Sequence, residues 1–278
     1  MTQRIVALSG YFSRTLLRSL TGLIYILLSL AYWRVMFSPD QRTPDASYYI
    51  LVLAAFGVGL TFLITLTIAS RANQAAHVAW IVRLPSRVEY LTAVLLTSVL
   101  FATALQLLLA ALALFRGPEL PLTQIMLIPP IWLALNALTA VLALHATDFV
   151  ASGWSRIILF GLIAIFLVGQ SLNAKSGLTT WLILRVNDLS RSMMGSGWMI
   201  IASPLNSFSG WLQQDGPAAL SNLFSLPFWP FHAIADAVVA GSFNTSQALA
   251  PAVLLLYATL LIMLAADIFA NKDMDLTE

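Results

Sequence analysis

The sequence predicts an all-helical protein built into a membrane. Of its 278 residues, 59% are apolar and only 9% are charged, and the mean hydropathy is +0.86. A soluble domain carries about 25% charged residues. The apolar residues also gather in uncharged runs, several of them long enough for a membrane-spanning helix, which takes about 20 residues. These observations exclude an ordinary soluble enzyme.

Long gaps between charged side chains predict six spans. They cover residues 19–39, 46–70, 90–115, 120–147, 157–174 and 237–266. Arg34 interrupts the first run near one end, where its stem can reach the headgroups beside Tyr32 and Trp33. The fifth run is barely long enough. Because Arg14 and Arg18 stand directly before the first run and no convincing cleavage site follows it, we interpret that run as a retained span.

The basic residues of the short connections predict the orientation. Arginine and lysine are enriched in cytoplasmic loops. One side of the predicted bundle carries Arg4, Arg14, Arg18, Arg71, Arg83, Arg87, Arg156 and Lys272, and the other carries Arg34, Arg42 and Arg116. We therefore expect both termini to be cytoplasmic, in a multi-pass protein of the inner (plasma) membrane.

Two segments outside the spans are amphipathic. In residues 1–18, Ile5, Leu8, Phe12 and Leu16 recur at helical spacing, which predicts a helix lying on the inner leaflet and leading into the first span. The connection over residues 71–89 offsets its polar side chains from its apolar ones in the same manner.

The region of residues 175–236 is neither a span nor a hydrophilic domain. It holds six charged residues, where a soluble segment of that length would carry about 15. Pro204, Pro217, Pro227 and Pro230 interrupt its apolar stretches, so we expect re-entrant or interfacial helices on the non-cytoplasmic side. Eight spans result if two of these stretches cross the membrane. The simplest organisation is a single membrane domain over residues 1–278.

The sequence offers no constellation for catalysis. It has no cysteine and only three histidines, His77, His145 and His232, which are scattered along the chain. We therefore expect no metal or haem site and no catalytic residues. The nucleotide-binding motif Gly-x-x-x-x-Gly-Lys-Ser/Thr is absent, and a net charge of +2 gives no basic surface for nucleic acid. Gln106, Asn136 and Gln170 are the main polar residues within the spans, available for hydrogen bonds between helices or for contact with a substrate.

The order of these elements resembles the ABC type-2 permease family. Residues 69–71 (Ala-Ser-Arg) and 84–90 (Leu-Pro-Ser-Arg-Val-Glu-Tyr) look like the loop that enters the third span of bacterial members. Residues 265–273 (Ala-Ala-Asp-Ile-Phe-Ala-Asn-Lys-Asp) look like the exit of their last span.

The resemblance implies that residues 71–89 form a coupling helix that docks on a separate ATPase subunit. The implied contact residues are Gln74, His77, Trp80, Arg83 and Arg87. The alternative is that Trp80 and the arginines only anchor a loop at the lipid headgroups. The resemblance also implies a second permease subunit, identical or paralogous, and a path that Gln170 could face. Membrane lipids are the other expected partners; ATP and magnesium would sit on the ATPase, and this chain would hold no cofactor.

The expected function is then that of the membrane-spanning subunit of an ATP-driven transporter that works by alternating access. Export is the expected direction. Such a chain is not an enzyme by itself. The uncharged spans favour an apolar or amphipathic substrate. The rival interpretation is a non-catalytic scaffold in a larger energy-transducing complex, which would bind lipids or pigments through the many aromatic residues.

Overall fold

The computed structural model describes residues 2–37, 45–74, 83–115, 120, 122–150, 153–172 and 177–271. Helix accounts for 87% of these residues, and none of them lies in a strand. The predicted fold class, a polytopic all-helical bundle, is confirmed.

The described helices are numbered in chain order. They are α1 (Thr2–Leu17), α2 (Leu20–Met36), α3 (Ala46–Ala72), α4 (Arg87–Leu114), α5 (Leu122–His145), α6 (Gly153–Gly169), α7 (Gly177–Gly195), α8 (Met199–Gln213), α9 (Gly216–Ser225), α10 (Trp229–Ala240) and α11 (Ala250–Asn271). Short 3₁₀ turns at Leu226–Phe228 and Gln247–Leu249 precede α10 and α11.

The chain divides into two compact units. The first comprises Met1–Arg156 and Pro230–Glu278, and the second comprises Ile157–Trp229. In the first unit, α4 contacts α1, α2, α3, α5 and α11, so five other helices of this unit share it as a neighbour.

Five helical runs among the described residues are long and apolar enough to cross a membrane. They are Ala46–Ala72, Arg87–Leu114, Ile128–His145, Gly216–Ala240 and Gln247–Asn271. The pair α1 and α2, bent by 72°, makes a sixth if it is counted as one span. The chain is therefore a multi-pass membrane protein, and the predicted second, third and fourth spans coincide with long helices. The predicted sixth span, residues 237–266, is displaced: α11 begins at Ala250 and ends at Asn271, and residues 237–240 belong to α10.

The predicted fifth span is shorter than expected. Residues 157–174 were expected to cross, but α6 ends at Gly169 and has 17 residues. At 1.5 Å per residue it is about 25 Å long, a few ångströms less than the hydrocarbon core of a bilayer.

The prolines of the region 175–236 interrupt its helices less than the sequence suggested. Pro217 lies in the first turn of α9, Pro227 in the first turn of the 3₁₀ segment, and Pro230 is the second residue of α10. Proline is tolerated in a first turn because the N–H that it lacks would have no partner there. Gly216–Ala240 is therefore long and apolar enough to span. Whether the region is re-entrant stays a prediction.

Polar caps start three of the membrane helices. Ser19 accepts a hydrogen bond from the Gly22 N–H at the start of α2, and Ser86 accepts one from Val88 at the start of α4. Asp45 caps α3, and its hydrogen bonds from the hydroxyl and N–H of Ser47 hold the pKa of Asp45 below its ordinary value. The caps satisfy N–H groups that a helix leaves without an internal partner.

Candidate functional site

One end of the first unit is closed by an aromatic cluster from four segments. Phe12 of α1 packs on Tyr90 of α4 with ring centroids 5.6 Å apart. Phe149, just after α5, lies 6.0 Å from Tyr90 and 4.7 Å from Phe269 of α11. The Tyr90 hydroxyl also donates to the carbonyl of Ala72, the last residue of α3. The ends of these helices therefore meet at one end of the bundle, here called the basic end.

Six arginines of the first unit gather at the basic end. Arg4, Arg14 and Arg18 lie on α1 or its bend, Arg71 lies in the last turn of α3, Arg83 precedes α4, and Arg87 is its first residue. At the opposite end, Phe37 packs against Tyr49, and Arg34 lies in the last turn of α2. Among the described residues, Arg34 is thus separated from the arginines of the basic end, whereas Arg42, Arg116 and Lys272 lie outside the described residues. Which compartment the basic end faces stays a prediction.

The N-terminal helix packs on the first turns of α4. Phe12 and Leu16, predicted to lie on the apolar face of α1, are 4% and 1% exposed. Ser9 donates to the carbonyl of Ala93 at 3.3 Å. Arg4 lies 3.9 Å from the buried carboxylate of Glu89. These contacts fix α1 to the helix that follows the predicted coupling segment.

The predicted ATPase-contact residues have different surroundings. Gln74 and Arg83 are exposed at either side of the connection between α3 and α4. His77 and Trp80 lie outside the described residues. Arg87 is half-buried, and its Nη1 donates to the carbonyl of Ala270 at 3.4 Å. Because Arg87 already bonds to the end of α11, Arg83 is the more available of the two arginines for a partner.

A buried polar clamp joins three helices in the interior of the first unit. Gln106 of α4 donates from Nε2 to the carbonyl of Leu53 in α3 at 2.8 Å, and its Oε1 accepts from Asn136 Nδ2 of α5 at 2.7 Å. Asn136 Nδ2 also reaches Thr103 Oγ1 at 3.1 Å. Gln106 and Asn136 are both 0% exposed. Of the two roles that the sequence left open for these side chains, hydrogen bonding between helices is the one observed.

An apolar cleft of about 630 Å³ opens beside this clamp. Thr103 and Leu107 of α4, the Pro129–Pro130 pair of α5, and Pro251 and Leu255 of α11 line it, together with Phe243. The volume lies in the range of small-molecule sites. Its lining residues include no charged side chain, so the cleft suits an apolar group.

Gln170, the predicted path residue, lies in the second unit at the end of α6. Its backbone carbonyl accepts a hydrogen bond from the Ser221 hydroxyl at 2.6 Å, and its side chain is partly exposed. The Phe224 ring packs directly on Gly169 at the end of α6, so closely that a Cβ on Gly169 would lie under 3.0 Å from the ring. Both contacts lie within the second unit. Whether Gln170 faces a path for a substrate stays a prediction.

Residues that could hold a metal are not grouped in the part of the chain that the structure describes, where no three His, Asp or Glu side chains come together. His145 is 1% exposed, and its Nδ1 bonds to the Val141 carbonyl at 2.9 Å. His145 is thus a helix-end residue held by its own helix.

No protein-family model matches this chain, and no curated protein and no solved structure matches it either.

Two contacts of the basic end were not singled out from the sequence. The Glu89 side chain is buried 3.9 Å from Arg4, and Arg71 Nη2 donates to Thr21 Oγ1 at 2.8 Å. Glu89 could have been singled out from the sequence, since Ser86 and Glu89 have the Ser-x-x-Glu spacing that is typical of a helix start. The second joins residues 50 positions apart, and no local pattern reports it.

Proposed function

We propose that this chain is the membrane-spanning subunit of an ATP-driven transporter, whose ATPase docks on the connection between α3 and α4. The chain would not hydrolyse ATP itself. A second permease subunit would complete the path, and the direction would be export.

The observation that carries the proposal is the position of Arg83. This exposed residue precedes Ser86, the N-cap of α4, by three positions. α4 contacts five other helices of its unit. Its first residue, Arg87, donates a hydrogen bond to the end of α11. A partner that moves the connection would therefore move α4 together with α1 and α11, because close-packed helices move as bodies.

The bent pair α1 and α2 supports the same proposal. An amphipathic N-terminal helix before the first span is part of the resemblance, and in this chain that helix turns by 72° into α2 and bonds to the start of α4. Its contacts with α4 would transmit a displacement of the connection to the first span.

The interior of the first unit suits an apolar or amphipathic substrate. Gln106 and Asn136 are fully buried and bond to each other and to the Leu53 carbonyl, and among the described residues only Asn136 Oδ1 of the two amides lacks a hydrogen-bond partner. The apolar cleft beside them offers space for an alkyl or aromatic group. A charged substrate would need a charged or hydrogen-bonding partner at this depth.

The test is affinity purification of the chain from its native membrane in mild detergent, with identification of the copurifying proteins and an ATPase assay. We expect a nucleotide-binding subunit whose recovery falls in the Trp80→Ala/Arg83→Ala variant. Arg34→Ala, an exposed arginine at the opposite end, is the matched control and should leave recovery unchanged. Arg87→Ala is tested separately because it also breaks the bond to Ala270.

Recovery of a pigment-bearing or electron-transfer assembly without ATPase activity would overturn the proposal in favour of a scaffold. Equal recovery of an ATPase with all three variants would retain a transporter and remove the docking site from this connection.

A further inference from the structure

A cleft of about 300 Å³ lies at the bend between α1 and α2. Its polar lining comes from three segments: Tyr11 and Thr15 of α1, Ser19 at the bend, and Arg71 with Gln74 at the end of α3. The remaining lining residues are apolar. The cleft is at the basic end and is separate from the apolar cleft beside the clamp.

Arg71 is the charged group of this cleft. It is half-buried, and its Nη2 donates to Thr21 Oγ1 at 2.8 Å, which positions the guanidinium against the first turn of α2. No carboxylate among the described residues lies within 4.0 Å of Arg71. A guanidinium has five N–H donors, so Arg71 can bind a further acceptor without giving up Thr21.

The surrounding charge favours an anion. Arg14 and Arg18 are exposed beside the cleft. The segments that form it lie within residues 1–39 and 46–88, which contain no Asp and no Glu. The neighbouring carboxylate, Glu89 at the start of α4, is buried and lies 3.9 Å from Arg4. A partly buried arginine with neighbouring arginines and hydroxyl groups is a common arrangement for phosphate, to which a guanidinium can donate two parallel hydrogen bonds.

The apolar surface next to the cleft identifies the source of the phosphate. Leu17 and Leu20, at the bend, are 56% and 74% exposed, and Leu23 and Leu27 continue along α2 at 50% and 55%. In a multi-pass membrane protein this surface faces acyl chains. A molecule with a phosphate at one end and acyl chains at the other would fill the cleft and cover the surface together, whereas a soluble phosphate would leave the surface unused.

We propose that the cleft binds the headgroup of one anionic phospholipid, with its phosphate on Arg71 and its chains along α2. The bound lipid joins α1, the start of α2 and the end of α3, and so braces the 72° bend. This site does not depend on the proposed transport function.

The test uses the full chain purified in dodecyl maltoside. Dioleoylphosphatidylglycerol is titrated against dioleoylphosphatidylcholine, and bound lipid is counted by native mass spectrometry while thermal unfolding is followed in parallel. We expect one retained phosphatidylglycerol per chain and a rise in Tm that phosphatidylcholine does not give. Arg71→Gln should weaken phosphatidylglycerol binding by roughly 10- to 100-fold, since hydrogen bonds to charged groups contribute about 1.5–3 kcal/mol. Arg34→Gln, at the opposite end, should not change it.

A second variant guards against misfolding of Arg71→Gln. Arg14→Gln/Arg18→Gln changes only exposed side chains, and it should weaken phosphatidylglycerol binding severalfold with no change in the Tm of the lipid-free chain. Equal effects of the two lipids, or unchanged binding in both variants, would overturn the proposal. The same Tm rise with inorganic phosphate alone would overturn the lipid assignment, because it would show that the acyl chains contribute nothing.

Discussion

Gly57 is the position where one added methyl group should disturb the interior most. It lies in α3 beneath the amide of Gln106, and a Cβ there would come within 3.0 Å of three atoms of that amide. The absence of a side chain at Gly57 is what lets Gln106 reach the Leu53 carbonyl one turn earlier in α3. Gly57→Ala therefore forces Gln106 to move and opens both of its hydrogen bonds.

The expected magnitude follows from three contributions. Two interhelical hydrogen bonds in a membrane protein contribute about 0.6 kcal/mol each. Overpacking a well-packed interior costs about 1–3 kcal/mol, and alanine is the better helix former by about 0.5–1 kcal/mol. The net loss in the free energy of unfolding is about 1–4 kcal/mol.

The assay is equilibrium unfolding in mixed micelles with increasing dodecyl sulfate, followed by far-UV circular dichroism. The matched control is Gly59→Ala in the same helix. A Cβ at Gly59 meets nothing within 4 Å, so this variant should be neutral or more stable by up to about 1 kcal/mol.

A double-mutant cycle isolates the contact. Gln106→Ala removes the atoms with which Cβ57 would collide, so Gly57→Ala should cost little in that background. The double variant should therefore be more stable than the sum of the two single effects predicts, by a coupling free energy of about 1–3 kcal/mol. Additive effects of Gly57→Ala and Gln106→Ala, or equal effects of Gly57→Ala and Gly59→Ala, would refute the reasoning.

Two further predictions use the same unfolding assay. Ser86→Ala removes the acceptor for the Val88 N–H and should lower the free energy of unfolding by about 1 kcal/mol. Ser86→Asp retains an N-cap acceptor and should be about as stable as the parent. Equal losses in the two variants would contradict the capping role. In the second unit, Gly169→Ala should cost about 1–3 kcal/mol because its Cβ would collide with the Phe224 ring, while Gly161→Ala, with nothing within 4 Å, should be neutral; a neutral Gly169→Ala would show that Phe224 can move aside.

The spans show how much of the fold can be predicted from apolar runs and charge. A long uncharged run is recognisable without any contact, and α3, α4 and α5 lie where the runs place them, whereas α11 begins 13 residues after the start of its run. α6 was misplaced: it begins at Gly153, includes Arg156 and ends at Gly169, because the ends of an uncharged run do not mark where a helix begins or ends. The prolines near α9 and α10 were given too much weight because the cost of a proline depends on whether it stands in a first turn, and that depends on where each helix begins.

The candidate site shows the same division. The sequence named Arg83 and Arg87 as equivalent contacts, yet only the packing of α11 shows that Arg87 bonds to Ala270. It named Gln106 and Asn136 as polar residues within spans, yet their mutual bond joins positions 30 residues apart.

The sequence by itself determined that the chain is a helical membrane protein, where three of its long apolar helices lie, and that its arginines fall into two groups along the chain. These properties follow from the composition and spacing of neighbouring residues, because burial of an apolar helix in lipid is a local requirement. Only the tertiary structure decided that five other helices share α4 as a neighbour, that Gln106 needs Gly57, and that Arg71 faces a cleft without a described carboxylate. These facts depend on which helix faces which, and that is set by packing between residues far apart in the chain.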